Sequence, residues 1–173
     1  MRKFIYLLTI VLTVTVFSAC NDDDKVDVEW RDANIEAYNE ITMNSDYSEI
    51  VGPEGTPRGV YKSVIKNGSG EVNPLQTSNV KILYTGYYCD GTVFATGTSV
   101  TEIPALFNVS DVVRGFSTTL QAMVKGDKWK VVIPYQLGYG HEGLVSYGTV
   151  LIKGYSTLFY EVELVDIDLY PDK

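Results

Sequence analysis

Val113-Arg114-Gly115-Phe116, continued by Ser117 to Met123, is the stretch on which the fold turns. A β-branched residue runs through Arg and Gly to an aromatic, and the helix-compatible Ser-Thr-Thr-Leu-Gln-Ala-Met follows. The stretch reads as a strand end turning into one short helix over Ser117–Met123. From Tyr61 to the C-terminus the other segments read as β-strands. Strands with one apolar face need something to cover that face. This helix is the only good one in that region, so it is the expected cover. Phe116, at its entrance, is expected at the floor of any pocket between helix and sheet.

A chain of 173 residues supports one sizeable core plus extensions. It carries 14 basic and 22 acidic side chains, a balance that argues against nucleic acid, whose phosphates require a basic face. One histidine, His141, and two cysteines, Cys20 and Cys89, exclude a multi-His zinc site and argue against a Ser-His-Asp triad. Abundant Tyr, Val and Gly favour strands and turns over helix bundles.

Met1-Arg2-Lys3 is a short positive start, Phe4 to Phe17 an apolar run with Thr interspersed, and Ser18-Ala19-Cys20 a small-residue cleavage point. Residues 1–19 therefore read as a secretory signal peptide. The apolar run is short for a membrane span, which needs about 20 residues. Cys after two small residues resembles a bacterial lipobox, with Phe17 an uncommon first residue. Cys20 is accordingly the expected lipid attachment site, each buried methylene adding about 0.8 kcal/mol of anchoring. Asp22-Asp23-Asp24 then begins a solvated tether and resembles the surface-export signal of Bacteroidetes lipoproteins. Val26–Met43 reads as an amphipathic helix, with Trp30, Ala33, Ala37, Tyr38 and Ile41 at three- and four-residue spacing. Its acidic polar face favours packing on the domain, on a partner or on a second copy over lying on a membrane. Asn44–Pro57 is rich in breakers and reads as a linker. The expected organisation is 1–19 signal peptide, 20–57 tether, helix and linker, and 58–170 the domain.

Within the domain, Gly59–Lys66 reads as the first strand. Val80–Tyr88 reads as a long one, with Val80, Ile82 and Tyr84 on one face. Asp90-Gly91 signals a hairpin, Thr92-Val93-Phe94 starts the return, and Pro104–Val109 is a short strand. Lys128–Pro134 alternates Trp129, Val131 and Ile133 against Lys128, Lys130 and Val132. Leu137–Gly154 reads as long and irregular. Thr157–Asp168 closes the sheet with Leu158, Tyr160, Val162, Leu164 and Ile167 inward.

Five of these stretches, in order, resemble the FKBP-type peptidyl-prolyl cis-trans isomerases. Val80-Lys81-Ile82-Leu83-Tyr84-Thr85-Gly86 with Asp90-Gly91-Thr92-Val93-Phe94 is similar to the family's opening. Val112 to Phe116 resembles its V-I-x-G-W turn, and Met123 to Lys128 its M-x-x-G-E/D-K hairpin. Ile133-Pro134 with Leu137-Gly138-Tyr139-Gly140 resembles I-P-x-x-L-A-Y-G, and Thr157 to Leu164 resembles T-L-x-F-x-V-E-L. The resemblance covers about residues 59 to 168. It implies an α+β fold, a bent antiparallel sheet wrapped around one short helix, preceded here by a helical extension. It also implies an apolar cleft for a proline ring. Tyr84, Phe94, Val113, Phe116, Tyr139 and Tyr160 are the catalytic positions it implies, and Val112, Ile152 and Phe107 further binding positions. The Val113 N–H and the Tyr139 hydroxyl would each meet a substrate carbonyl. No cofactor and no metal are implied. The partners would be proline-containing polypeptide clients.

Three positions depart from the family pattern. Ala95 stands where the family has an Asp that pairs with the Tyr hydroxyl, so the Tyr84 hydroxyl needs another partner, with Thr96, Thr98 or water as candidates. Ala105 stands for an aromatic and would open one wall. Phe116 replaces a Trp, keeping a ring and losing the indole N–H. The reading is an envelope isomerase of weakened activity, lipid-anchored to the outer membrane on its periplasmic face or at the cell surface. It would assist the folding of secreted or envelope proteins. The alternative is a non-catalytic peptide- or protein-binding module on the same fold. The apolar residues Leu144, Val145, Tyr147, Val150 and Leu151 belong either to a loop folded on itself or to a lid over the cleft. His141 reads as a loop residue, and Cys89 has no thiol partner once Cys20 is lipidated.

Overall fold

The structure, a computed structural model, describes residues 27–97 and 103–168. The signal peptide, Cys20 and the acidic cluster lie outside them. In chain order the elements are α1 (Val28–Met43), β1 (Ser48–Glu49), β2 (Tyr61–Lys66), β3 (Asn79–Tyr87), β4 (Val93–Thr96), β5 (Ala105–Asn108), α2 (Arg114–Ala122), β6 (Lys128–Ile133), β7 (Leu144–Ser146), β8 (Thr149–Ile152) and β9 (Leu158–Asp168).

Seven strands form one antiparallel sheet in the order β1-β2-β6-β9-β3-β4, with β5 pairing the first half of β3 while β4 pairs the second. Period-two alternation sends Val80 and Ile82, Trp129, Val131 and Ile133, and Leu158, Tyr160, Val162 and Leu164 to one face, where all are buried. Ile167 packs on the same core although it lies three residues after Leu164, because a register shift opposite Lys81/Ile82 takes up the extra residue. Val132 is also buried, although its alternation turns it to the opposite face.

α2 covers the apolar face, as expected, but it starts earlier. Val113 is its N-cap and Arg114, Gly115 and Phe116 form its first turn, so this stretch is helix rather than a strand end. Thr118 and Thr119 are buried in it because their hydroxyls donate to the carbonyls of Arg114 and Gly115, both at 3.0 Å. Gly115 is required at the helix–sheet contact, since a Cβ there would stand 2.3 Å from Ile133 Cγ2.

Asp27 caps α1 by accepting the Trp30 N–H at 2.9 Å. The buried stripe of α1 differs from the expected one. Ala33 is exposed and Asn34 is the buried residue, flanked by Trp30, Ala37, Tyr38 and Ile41. Asn34 is polar but bonded: its Oδ1 accepts the Thr157 N–H, its backbone carbonyl the Thr157 hydroxyl, and its amide donates to the Trp30 carbonyl, each at 2.8 Å. Tyr38 donates to the Gly59 carbonyl at 2.9 Å. α1 thus packs on the domain. The stretch read as a linker supplies β1 at the sheet edge and the buried Ile50, whose N–H donates to the Val60 carbonyl.

The segment read as irregular contains a two-stranded hairpin, β7–β8, turned by Tyr147 and Gly148 at φ 48° and 77°. Two consecutive left-handed residues match the twist of a tight hairpin.

Candidate active site

A cleft of about 420 Å³ opens between α2, the sheet and the β7–β8 hairpin. Its lining includes all nine positions expected at the site: Tyr84, Phe94, Phe107, Val112, Val113, Phe116, Tyr139, Ile152 and Tyr160. The topology brings them together from β3, β4, β5, β8, β9, the start of α2 and the turn after β6.

Phe116 and Tyr160 are the buried rings, with centroids 4.7 Å apart. Tyr84 stands 6.3 Å from each and 5.6 Å edge-on to Phe107. Phe94 meets Tyr160 edge-on at 5.6 Å. Such tilted contacts suit aromatic quadrupoles and hold the rings in place. Two glycines make the rings fit. A Cβ on Gly86 would lie 2.7 Å from Phe94 Cζ and 2.9 Å from Tyr160 Cε1, and one on Gly97 would lie 2.1 Å from Tyr84 Cε1.

The first N–H groups of any helix lack intrahelical acceptors, and Val113, the N-cap of α2, has no side chain to supply one; it lines the cleft with Val112 and Phe116. The Tyr139 hydroxyl has no hydrogen-bond partner among the described residues. Burial raises the Tyr139 hydroxyl above its ordinary 10.0, with Tyr84 adding to the shift, and burial raises Tyr84 as well. Both stay neutral donors at physiological pH.

Four lining residues were not among the expected binding positions: Ala95, Asp111, Leu144 and Leu151. Ala95 puts a methyl on the cleft surface. Asp111 is exposed at the rim, and its carboxylate accepts from the Ser110 hydroxyl at 3.0 Å. Leu144 and Leu151 bring the hairpin to the cleft, so the apolar residues of that segment do not simply fold back on one another. Their signal in the sequence was that apolar content. Ala105, on β5 opposite Ile82, is absent from the residues that line the cleft, and its Cβ lies 3.1 Å from where a Cβ on Gly97 would stand, beside the Tyr84 ring. Tyr88 lies just behind the cleft, its ring 4.9 Å from Phe94. Among the described residues no three His, Cys, Asp or Glu side chains are placed to hold a metal ion.

An antiparallel sheet covered by one short helix, with this aromatic cleft between them, points to one protein class, and comparison with known proteins names it. The family model for FKBP-type peptidyl-prolyl cis-trans isomerases matches residues 70–165, and the chain belongs to that family. The FKBP-type 22 kDa peptidyl-prolyl cis-trans isomerase of Escherichia coli is 39% identical over 116 residues, 67% of this chain and 53% of that protein. The outer membrane protein MIP of Legionella longbeachae is 33% identical over 111 residues, 64% of this chain and 45% of that protein. A crystal structure of a peptidyl-prolyl cis-trans isomerase from Pseudomonas syringae superposes with a TM-score of 0.69 at 26% identity, covering 84% of this chain and 98% of that one. The structure of FkpA from Escherichia coli gives 0.67 at 26% identity, covering 83% and 62%. The chain spans about half the length of the curated relatives it matches.

Proposed function

We propose that the protein catalyses cis-trans isomerisation of prolyl bonds in secreted or cell-envelope clients, with activity reduced by Ala95. The observation that carries this reading is that one apolar cleft is lined by all nine expected positions.

The chemistry asks little of the protein beyond that cleft. Rotation about an X-Pro bond faces a barrier of about 18–20 kcal/mol set by amide resonance. The twisted amide is less dipolar than the planar one, so an aromatic, water-poor cleft favours it. Contacts that fit only the twisted form lower the barrier further. In this reading Phe116 and Tyr160 form the floor, and Tyr84, Phe94 and Phe107 the walls. Val112 and Ile152 close the ends. The N–H of Val113 and the hydroxyl of Tyr139 each hold a substrate carbonyl that flanks the rotating bond. The side chains supply shape and dipoles, and no nucleophile takes part.

The envelope setting rests on the signal-like residues 1–19 and on Cys20, through which lipid would hold the protein at the outer membrane. The name of the Legionella longbeachae relative, an outer membrane protein, agrees with that setting. The second reading, a binding module without turnover, draws on Ala95, which offers a methyl where the family has a carboxylate. A proline-limited refolding assay separates the two. Acceleration by the wild-type protein, increased in Ala95→Asp, supports the weakened isomerase. No acceleration by either protein overturns it.

A further inference from the structure

Tyr160 occupies the position at which the family motif T-L-x-F-x-V-E-L carries Phe, so this cleft holds one hydroxyl more than the motif requires. The residue is 8% exposed. A tyrosine buried to that degree normally has its hydroxyl bonded to protein. The Tyr160 hydroxyl makes no hydrogen bond to any described residue, and it is not sealed in the core either. It therefore reaches the cleft that the ring lines.

The sheet register explains why no protein acceptor meets it. Val131, Tyr160, Gly86 and Ala95 form one row across β6, β9, β3 and β4. Gly86 has no side chain, and Tyr160 Cε1 lies where its Cβ would be. Beyond Gly86 the row ends on the methyl of Ala95, which accepts nothing. The titratable groups that act on it are the hydroxyls of Tyr139, Tyr84 and Tyr88, whose proximity, after burial itself, keeps Tyr160 protonated far into alkaline solution.

We propose that the Tyr160 hydroxyl is a client-binding donor that hydrogen-bonds a backbone carbonyl of the prolyl segment seated in the cleft. This rests on the reading of the cleft as a proline-client site. With Tyr139 it forms a two-donor site selective for peptide backbone over purely apolar occupants, because an apolar occupant would strand the hydroxyl out of water. The chemistry also determines where the effect falls. A donor on the carbonyl of the rotating bond would stabilise the planar, dipolar amide and slow rotation. A donor on a flanking carbonyl holds planar and twisted forms alike, so its loss raises KM and leaves kcat nearly unchanged.

Tyr160→Phe removes one oxygen and restores the motif's residue. The test titrates a labelled wild-type protein and the variant with an Ala-Pro-containing peptide by NMR, with cis-trans exchange rates and thermal midpoints measured on the same samples. The expected result is binding about three- to tenfold weaker in Tyr160→Phe, the range of one neutral hydrogen bond, with kcat within about twofold of wild type and an unlowered midpoint. Equal or tighter binding by Tyr160→Phe overturns the proposal. Wild-type protein that binds the peptide without speeding its exchange overturns the isomerase reading and leaves the Tyr160 comparison decisive. Wild-type protein that does not bind the peptide overturns both.

Discussion

Trp30 of α1 stands edge-on to Tyr88, with ring centroids 5.2 Å apart and planes 83° from parallel. The Trp30 indole N–H also donates to the Ser156 hydroxyl at 3.3 Å, and Lys153 Nζ lies 4.3 Å from the Trp30 ring. Tyr88 in turn packs on Phe94, and its hydroxyl donates to the Leu151 carbonyl at 3.4 Å. One ring thus links the N-terminal helix to a cleft wall and to the hairpin. Trp30→Ala is expected to lower stability by about 1–3 kcal/mol, as loss of a packed aromatic does, and to loosen Phe94. Chemical denaturation and the Phe94 ring signals check it. Unchanged Phe94 signals would show that α1 is merely attached.

Asn34 is the polar anchor of the same helix. Asn34→Ala leaves the Thr157 N–H buried with no acceptor, at a cost of about 1–3 kcal/mol. Hydrogen exchange at Thr157 should accelerate in the variant together with exchange in α1. Acceleration at Thr157 alone would mean that α1 is held mainly by its aromatic residues.

Gly86→Ala places a methyl against the Phe94 and Tyr160 rings. Both rings must shift, so client binding should weaken about tenfold or more while the fold survives. Peptide titration with a thermal melt tests this, and unaltered affinity would mean that neither ring is held where clients bind.

The cleft tyrosines give alkaline pH a definite sign. Burial raises Tyr84, Tyr139 and Tyr160 above the ordinary 10.0 because it disfavours their charged forms. Their contribution to stability is fully present below pH 10 and is lost as pH rises through their raised folded values. Ultraviolet titration should show the tyrosinate signal missing from Tyr139→Phe to be one that appears late in the wild type.

Much of this was legible in the sequence because strand alternation is a strong signal. Val80 and Ile82, or Leu158, Tyr160 and Val162, could face only one way around a single core. The cleft positions were legible because five motifs stood in order, each tying a side chain to a turn or strand. Other features depend on contacts distant in sequence. Asn34 is buried for the sake of Thr157, 123 residues away, so helical periodicity favoured Ala33 instead. The β7–β8 turn uses Tyr147 in a left-handed conformation that Asn or Asp would have advertised. β1 has two residues and no pattern to read. The start of α2 was obscured by Val112-Val113 and Gly115, residues of low helix propensity that packing against Ile133 overrides.

The central claim is turnover of prolyl bonds in the aromatic cleft, and exchange NMR on an Ala-Pro peptide tests it most directly. Catalytic amounts of the wild-type protein should raise the cis-trans exchange rate above the uncatalysed one, whose time constant is roughly tens to hundreds of seconds. A Phe94→Ala, Tyr139→Phe double variant, with one wall and one donor removed, should lose most of that gain. A wild-type rate equal to that of the double variant, with both proteins folded, would contradict the account.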